Sequence, residues 1–313
     1  MRSANNVLSM SAGARQWLRL PFPVLVGAFC LLWASAFSVA KVAVIDCPPL
    51  LALTVRFLIA GAVMLGAAAL YGVPLRMSRR DVLAFSLLGI ANQAAYLGLS
   101  YIGIRSISSG LAALIVSANP VLTAVLAALL LDDRMTLRKA LGLLLGVGGV
   151  AFVVESRLAG GIEDPVGIAF TVAALVSLVV GTILYKKLAP TGGPGGLWLG
   201  NGVQSVAAGL AVLPFAVAFE SVGDVVPSWR LLASLAYLAL FVSVFAYLIW
   251  FQLLNVSGAT GASSYHFLMP PLGMLFGWLL LGEHVAPADL VGIVPVAAGI
   301  YLVTRSAASA KNG

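Results

Sequence analysis

The chain has 313 residues, of which 61% are hydrophobic and only 9% charged, and its mean hydropathy is +1.05. Soluble globular domains carry roughly 25% charged residues, so a water-soluble fold is excluded. The net charge of +7 comes from basic residues scattered between apolar runs, not gathered into a stripe, which argues against nucleic-acid binding.

Residues 1–21 are polar and basic, and the first apolar run follows from Phe22 to about Val44. Ala34-Ser35-Ala36 imitates a signal-peptidase site, but the run continues to Ile45, long enough to cross a bilayer as a retained helix. Further apolar runs lie near 50–70, 82–100, 107–131, 139–154, 166–184, 196–219, 229–250, 259–281 and 287–304. Each approaches the roughly 20 residues that a helix needs to span hydrocarbon, and none shows the alternation of a barrel strand. An all-α integral membrane protein with ten transmembrane helices is expected. Its connectors are too short to house a soluble domain. Cys30 and Cys47 have neither CxxC nor metal-ligand spacing, so no disulfide, metal or cofactor is expected.

The chain repeats itself at an offset of 150. Pro120 matches Pro270, Leu129 to Leu131 match Leu279 to Leu281, Asp133 matches Glu283, Gly142 matches Gly292, and Gly149 matches Gly299. The expected domains are a cytoplasmic segment 1–21, a first repeat 22–154 with helices one to five, a second repeat 155–304 with helices six to ten, and a tail 305–313. With both termini inside, the cytoplasmic segments hold 13 of the 18 Lys and Arg residues. An odd number of spans per repeat inverts the second relative to the first. In agreement, the loop DDRMTLRK is basic while its partner GEHVAPAD has no Lys or Arg. Two inverted five-helix repeats around a central cavity are the architecture of secondary transporters.

Certain stretches carry a family resemblance: LLWASAFSVAKVAV in the first span, PPLLALTVRFLIAGAVML with Arg56 in the second, and the two Pro…Leu-(Asp/Gly)-(Asp/Glu)…Gly blocks. The chain resembles the ten-helix, EamA-type exporters of the drug/metabolite transporter superfamily, and is most similar to YddG-type amino acid exporters. The resemblance implies a basket of helices around a cavity, no enzymatic activity, and a bacterial cytoplasmic (inner) membrane location. Four-helix relatives that exchange drugs for protons carry a glutamate in the first span. Here that region is Trp33-Ala34-Ser35-Ala36, which places carboxylate-based antiport in doubt.

Polar and aromatic residues recur at helical spacing within the spans. Trp33 and Phe37 lie in span one, Asn92 and Tyr96 in span three, and Trp198, Asn201 and Ser205 in span seven. Ser243, Tyr247 and Trp250 follow in span eight, and Tyr265 and His266 in span nine. Together they are expected to line a substrate cavity of uncharged hydrogen-bonders among aromatic walls, although any single Asn or Ser also serves as interhelical glue. Arg56 is a candidate contact for a substrate carboxylate, or else a guanidinium that snorkels to the interface. Pro120, Pro270 and Pro271 are candidate hinges; the last two are expected to kink span nine beside His266. Gly142-x-x-x-Gly146 and Gly273-x-x-x-Gly277 are expected to pack helices within the chain, and a monomer is favoured.

These features predict a secondary transporter that exports small metabolites, probable cargo being aromatic and neutral amino acids such as threonine and methionine. The expected partners are that small-molecule substrate and membrane lipid. With no Walker A motif and no carboxylate at mid-depth, facilitative transport is expected. The alternative is a proton-coupled exporter of drugs or other metabolites that uses His266. An intramembrane enzyme, which would need a catalytic set absent here, and a channel are more remote.

Overall fold

A computed structural model of the protein describes residues 21–130, 136–161, 163–188, 196–250, 252–253 and 265–309. All regular structure among them is helical, in ten apolar segments. These are α1 Phe22–Asp46, α2 Pro49–Leu70, α3 Arg79–Ile104, α4 Ser109–Leu130, α5 Leu137–Ala159, α6 Pro165–Leu188, α7 Gly196–Phe219, α8 Trp229–Trp250, α9 Met269–Leu281 and α10 Pro287–Ser309. Eight of them are long and apolar enough to cross a membrane, and α9 and α10 contribute shorter apolar stretches.

The starts follow from local chemistry. Prolines occupy the first turns of α1 and α2, where a missing N–H costs nothing. Ser78, Ser108, Thr136 and Ser228 accept from backbone N–H groups at the starts of α3, α4, α5 and α8. The left-handed Gly282, with φ 65°, ends α9 and lets the chain turn back toward α4.

The packing follows the repeat. Helices at the 150-residue offset lie against each other: α2 along α7, α5 along α10, and α4 against α9. Other contacts come in exchanged pairs, α1 with α8 and α6 with α3, then α1 with α9 and α6 with α4. This is the packing of two five-helix repeats related by a pseudo-twofold axis. Glycine permits the closest approaches. A Cβ on Gly299 of α10 would stand 2.5 Å from the Gly142 carbonyl oxygen and 2.6 Å from the Gly146 nitrogen of α5. A Cβ on Gly273 would meet that of Ala113 at 2.4 Å. Both glycine motifs therefore pack helices inside the chain.

Two irregularities repeat between the halves. A π-helical stretch, Ile90–Ala95, interrupts α3, and another, Tyr237–Ala246, interrupts α8. Shifted by 150, the first falls inside the second. Such bulges gather at functional sites because the extra residue redirects side chains. Helix α4 is likewise broken at Ala118, between Ser109–Ser117 and Asn119–Leu130. Its counterpart α9 is preceded by a 3-10 turn, Tyr265–Leu268.

Span nine departs from expectation here. A continuous helix over 259–281 with interior prolines is expected, but 259–264 lie outside the described residues and the α-helix starts at Met269. Pro270 and Pro271 thus occupy its first turn. Pro120 sits equivalently in the first turn of Asn119–Leu130. At that position proline starts a helix without breaking any hydrogen bond, so the prolines mark a junction and not a kink within a continuous helix.

Candidate functional site

Midway along the bundle, between the repeats, lies a narrow cavity of about 30 Å³, room for about one water molecule. Helix α1 contributes Trp33, Ala36, Phe37 and Ala40; α2 contributes Arg56; α3 contributes Tyr96, Leu97, Ser100, Tyr101 and Ile104; α8 contributes Val242 and Tyr247. The wall is aromatic and aliphatic, with one charge.

That charge does not snorkel. Arg56 is only 2% exposed. Its Nε donates to Ser243 Oγ at 3.0 Å and its Nη1 to the Tyr101 hydroxyl at 2.8 Å. The guanidinium carbon lies 6.0 Å from the Phe57 ring centre and 5.9 Å from that of Tyr101. No carboxylate of the described residues pairs with it. Hydrogen bonds involving a charged group contribute about 1.5–3 kcal/mol each. Two of them offset the roughly 2.5–3.5 kcal/mol that inserting an arginine at mid-helix costs on translocon scales. The residue is thus tolerable without an acid, and no described residue accepts from its remaining N–H groups.

The support of Arg56 extends into a buried polar chain. Asn201 Nδ2 donates to the Ser243 carbonyl oxygen at 3.1 Å, Gln93 Nε2 donates to Asn201 Oδ1 at 3.1 Å, and Ser205 Oγ donates to Gln93 Oε1 at 3.2 Å. Gln93 and Ser243 sit in the two π-helical stretches and occupy equivalent positions at the 150-residue offset. The chain therefore ties α2, α3, α7 and α8 together through the irregular turns, and its groups satisfy one another as low-dielectric burial requires.

The expected site residues separate into groups. Trp33, Phe37, Arg56, Tyr96 and Tyr247 border the cavity. Ser243, Asn201 and Ser205 form the chain behind Arg56. Trp250 extends the aromatic wall, with its ring 5.3 Å from Phe29 and 6.4 Å from Trp33, while Trp33 lies 5.2 Å from Tyr247. Tyr265 packs edge-on against Phe22, and its carbonyl accepts from Cys30 Sγ.

Two residues lie elsewhere. Asn92 donates to the Gly181 carbonyl of α6 at 3.0 Å, and Trp198 Nε1 donates to the Met64 carbonyl of α2 at 2.6 Å. Both bridge helices away from the cavity. The side chain of His266 lies outside the described residues. Ser100, Tyr101 and Gln93 were not anticipated. Their spacing was readable, since Gln93, Tyr96 and Ser100 stand at i, i+3 and i+7.

The end of the bundle opposite the N-terminus is held by acidic residues. Asp46 of α1 pairs with Arg230 and accepts from Ser228 of α8. Glu220 accepts from the N–H groups of Leu50 and Leu51 at the start of α2. Glu163 and Glu283 accept from Ser108, Ser109 and Gly110, so two acids from different connectors cap α4. Arg157 joins Glu163 to Asp289, and Lys41 donates to the Ile107 carbonyl. The ion pairs Arg157–Glu163, Arg157–Asp289 and Arg230–Asp46 are all at this end.

Three comparisons bear on identity. The chain is 27% identical to the uncharacterized transporter YvbV of Bacillus subtilis, over 92% of this chain and 93% of the relative. It is 28% identical to a probable amino-acid metabolite efflux pump of Salmonella typhimurium, over 87% and 91% of the two chains. It is also 28% identical to the S-adenosylmethionine/S-adenosylhomocysteine transporter of Chlamydia trachomatis, over 90% and 88%. A protein of known crystal structure superposes with a TM-score of 0.64 at 18% identity, covering 89% of this chain and 94% of its own, which establishes a shared fold. The model of the EamA-like transporter family matches twice, at residues 23–155 and 165–305, and the chain accordingly belongs to the EamA-like transporter family of small-molecule membrane transporters and is not an enzyme.

Proposed function

We propose that the protein exports neutral and aromatic amino acids across the bacterial cytoplasmic membrane by alternating access between its two repeats. The observation that carries this reading is Arg56, a buried guanidinium without an acidic partner among the described residues, on the wall of an aromatic cavity between the repeats. A substrate carboxylate completes its hydrogen bonding, and the rings of Trp33, Phe37, Tyr96 and Tyr247 receive an apolar side chain. Loading an amino acid widens this cavity, whose volume is about 30 Å³.

The Lys/Arg bias puts both termini in the cytoplasm. On that orientation the acid-capped end faces outward and is the closed side. Release there requires α1, α4 and α9 to separate, and the junctions before Pro120 and Pro270 are the places where backbone rotation breaks fewest helical bonds. Among the described residues no Asp or Glu borders the cavity, which supports facilitative flux down the substrate's own gradient. The test is flux of labelled threonine, methionine and phenylalanine in proteoliposomes of the full chain. Rates above those of protein-free vesicles are expected, and equal rates overturn the proposal.

A further inference from the structure

We infer that the site recognises the carboxylate and the apolar body of its cargo and has no requirement for the amine, so that its substrate class is the aromatic monocarboxylate, amino acids being the aminated members. The inference rests on the transport reading of this cavity and narrows its chemistry.

A site built to demand an α-ammonium group supplies a carboxylate or a cluster of strong acceptors. Here none of the twelve cavity-bordering residues is acidic. The acids at the end of the bundle opposite the N-terminus are otherwise engaged: Glu163 and Glu283 cap α4, Glu220 accepts from the start of α2, Asp46 holds Arg230, and Asp289 holds Arg157. Ring faces attract cations, and an aromatic wall is the remaining way to hold an ammonium. That route is compromised, because the Arg56 guanidinium already lies 5.9 Å from the Tyr101 ring centre on the same wall and repels a second cation in the same low-dielectric space. Neutral acceptors such as Ser100 and the tyrosine hydroxyls accommodate an amine, but they meet a hydroxyl or keto group equally well. The carboxylate, in contrast, has a dedicated, charged and pre-positioned partner. Recognition therefore discriminates strongly at one end of the molecule and weakly at the other.

The experiment compares phenylalanine, phenylpyruvate and phenyllactate, which keep the carboxylate, with phenylalaninol, which keeps only the amine. Binding to the full-length protein in nanodiscs is followed by tryptophan fluorescence, and competition against labelled phenylalanine flux is measured in proteoliposomes. Phenylpyruvate and phenyllactate are expected to bind within about threefold of phenylalanine, and phenylalaninol at least about tenfold more weakly. Arg56→Gln is expected to weaken all three carboxylates by at least about tenfold, and Arg56→Lys, which keeps the charge, by less. Binding of phenylalanine without phenylpyruvate or phenyllactate overturns the inference and leaves the amino acid reading standing. Binding of the deaminated acids without phenylalanine flux does the reverse. Failure of every carboxylate to bind a folded protein, or tight binding of phenylalaninol, also overturns the inference.

Discussion

Arg157 of α5 and Asp289 of α10 are joined by two hydrogen bonds, Nε to Oδ1 at 2.9 Å and Nη2 to Oδ2 at 2.5 Å, with both side chains buried. Glu163 accepts from the same guanidinium at 2.8 Å. Removing one member of a buried pair strands the other charge, at a cost of about 3–5 kcal/mol. Arg157→Met, which strands both Glu163 and Asp289, is therefore expected to lower the melting temperature of the purified protein sharply. The triple variant Arg157→Met/Glu163→Gln/Asp289→Asn is expected to recover much of the loss, because it leaves no charge of the cluster unpaired. Equal destabilisation by the single and triple variants contradicts this account.

The approach of α5 and α10 gives a sharper packing prediction. Gly299→Ala places a methyl against the backbone of Gly142 and Gly146, which cannot rotate away, and is expected to destabilise by about 1–3 kcal/mol. At Gly148 a Cβ meets nothing within 4 Å. Gly148→Ala is expected to be neutral or to stabilise by about 0.5–1 kcal/mol through helix propensity. Thermal melts of the two variants, measured side by side, distinguish contact from composition.

Ser243 positions Arg56 from the π-helical turn of α8. Ser243→Ala removes the Nε acceptor but leaves the backbone carbonyl that Asn201 uses. The guanidinium then loses its orientation while the buried polar chain survives. KM for phenylalanine in proteoliposomes is expected to rise about tenfold, the equivalent of about 1.4 kcal/mol, and stability to fall by about 1.5–3 kcal/mol, the worth of one hydrogen bond to a charged group. An unchanged KM refutes the positioning role.

Outside the membrane-spanning segments, Asp164 begins α6. The backbone N–H of Val166, the Ser106 hydroxyl and the N–H of Gly167 hold its carboxyl below the usual carboxylate range. Because the folded value is the lower one, this contribution is present above the unfolded carboxylate value and is lost as the pH falls through the folded one. Asp164→Asn is expected to melt below wild type near neutral pH, with the difference vanishing in acid. A difference that grows in acid has the wrong sign.

The span count, the repeat offset and the bilateral glycine contacts were legible in the sequence, because each is carried by apolar run length or by residues matched 150 positions apart. Individual cavity residues were less so. Asn92 and Gln93 both fit the helical spacing of Tyr96, at i, i+4 and i, i+3, and spacing alone does not say that Gln93 joins the buried polar chain while Asn92 bonds Gly181 of α6. The indole N–H of Trp198 donates to the Met64 carbonyl, a partner on a helix more than 130 residues earlier that no local spacing reveals. The acid-capped end escaped notice because Glu163, Glu283 and Asp289 lie in connectors or at helix ends, where charge is the ordinary expectation.

The central claim is that Arg56 reads the substrate carboxylate from inside the cavity. The most direct measurement is phenylalanine flux through Arg56→Gln in proteoliposomes, with a melting curve to establish that the variant is folded. A fall of at least about tenfold, partly restored in Arg56→Lys, is the predicted result. Wild-type flux in folded Arg56→Gln would contradict the account.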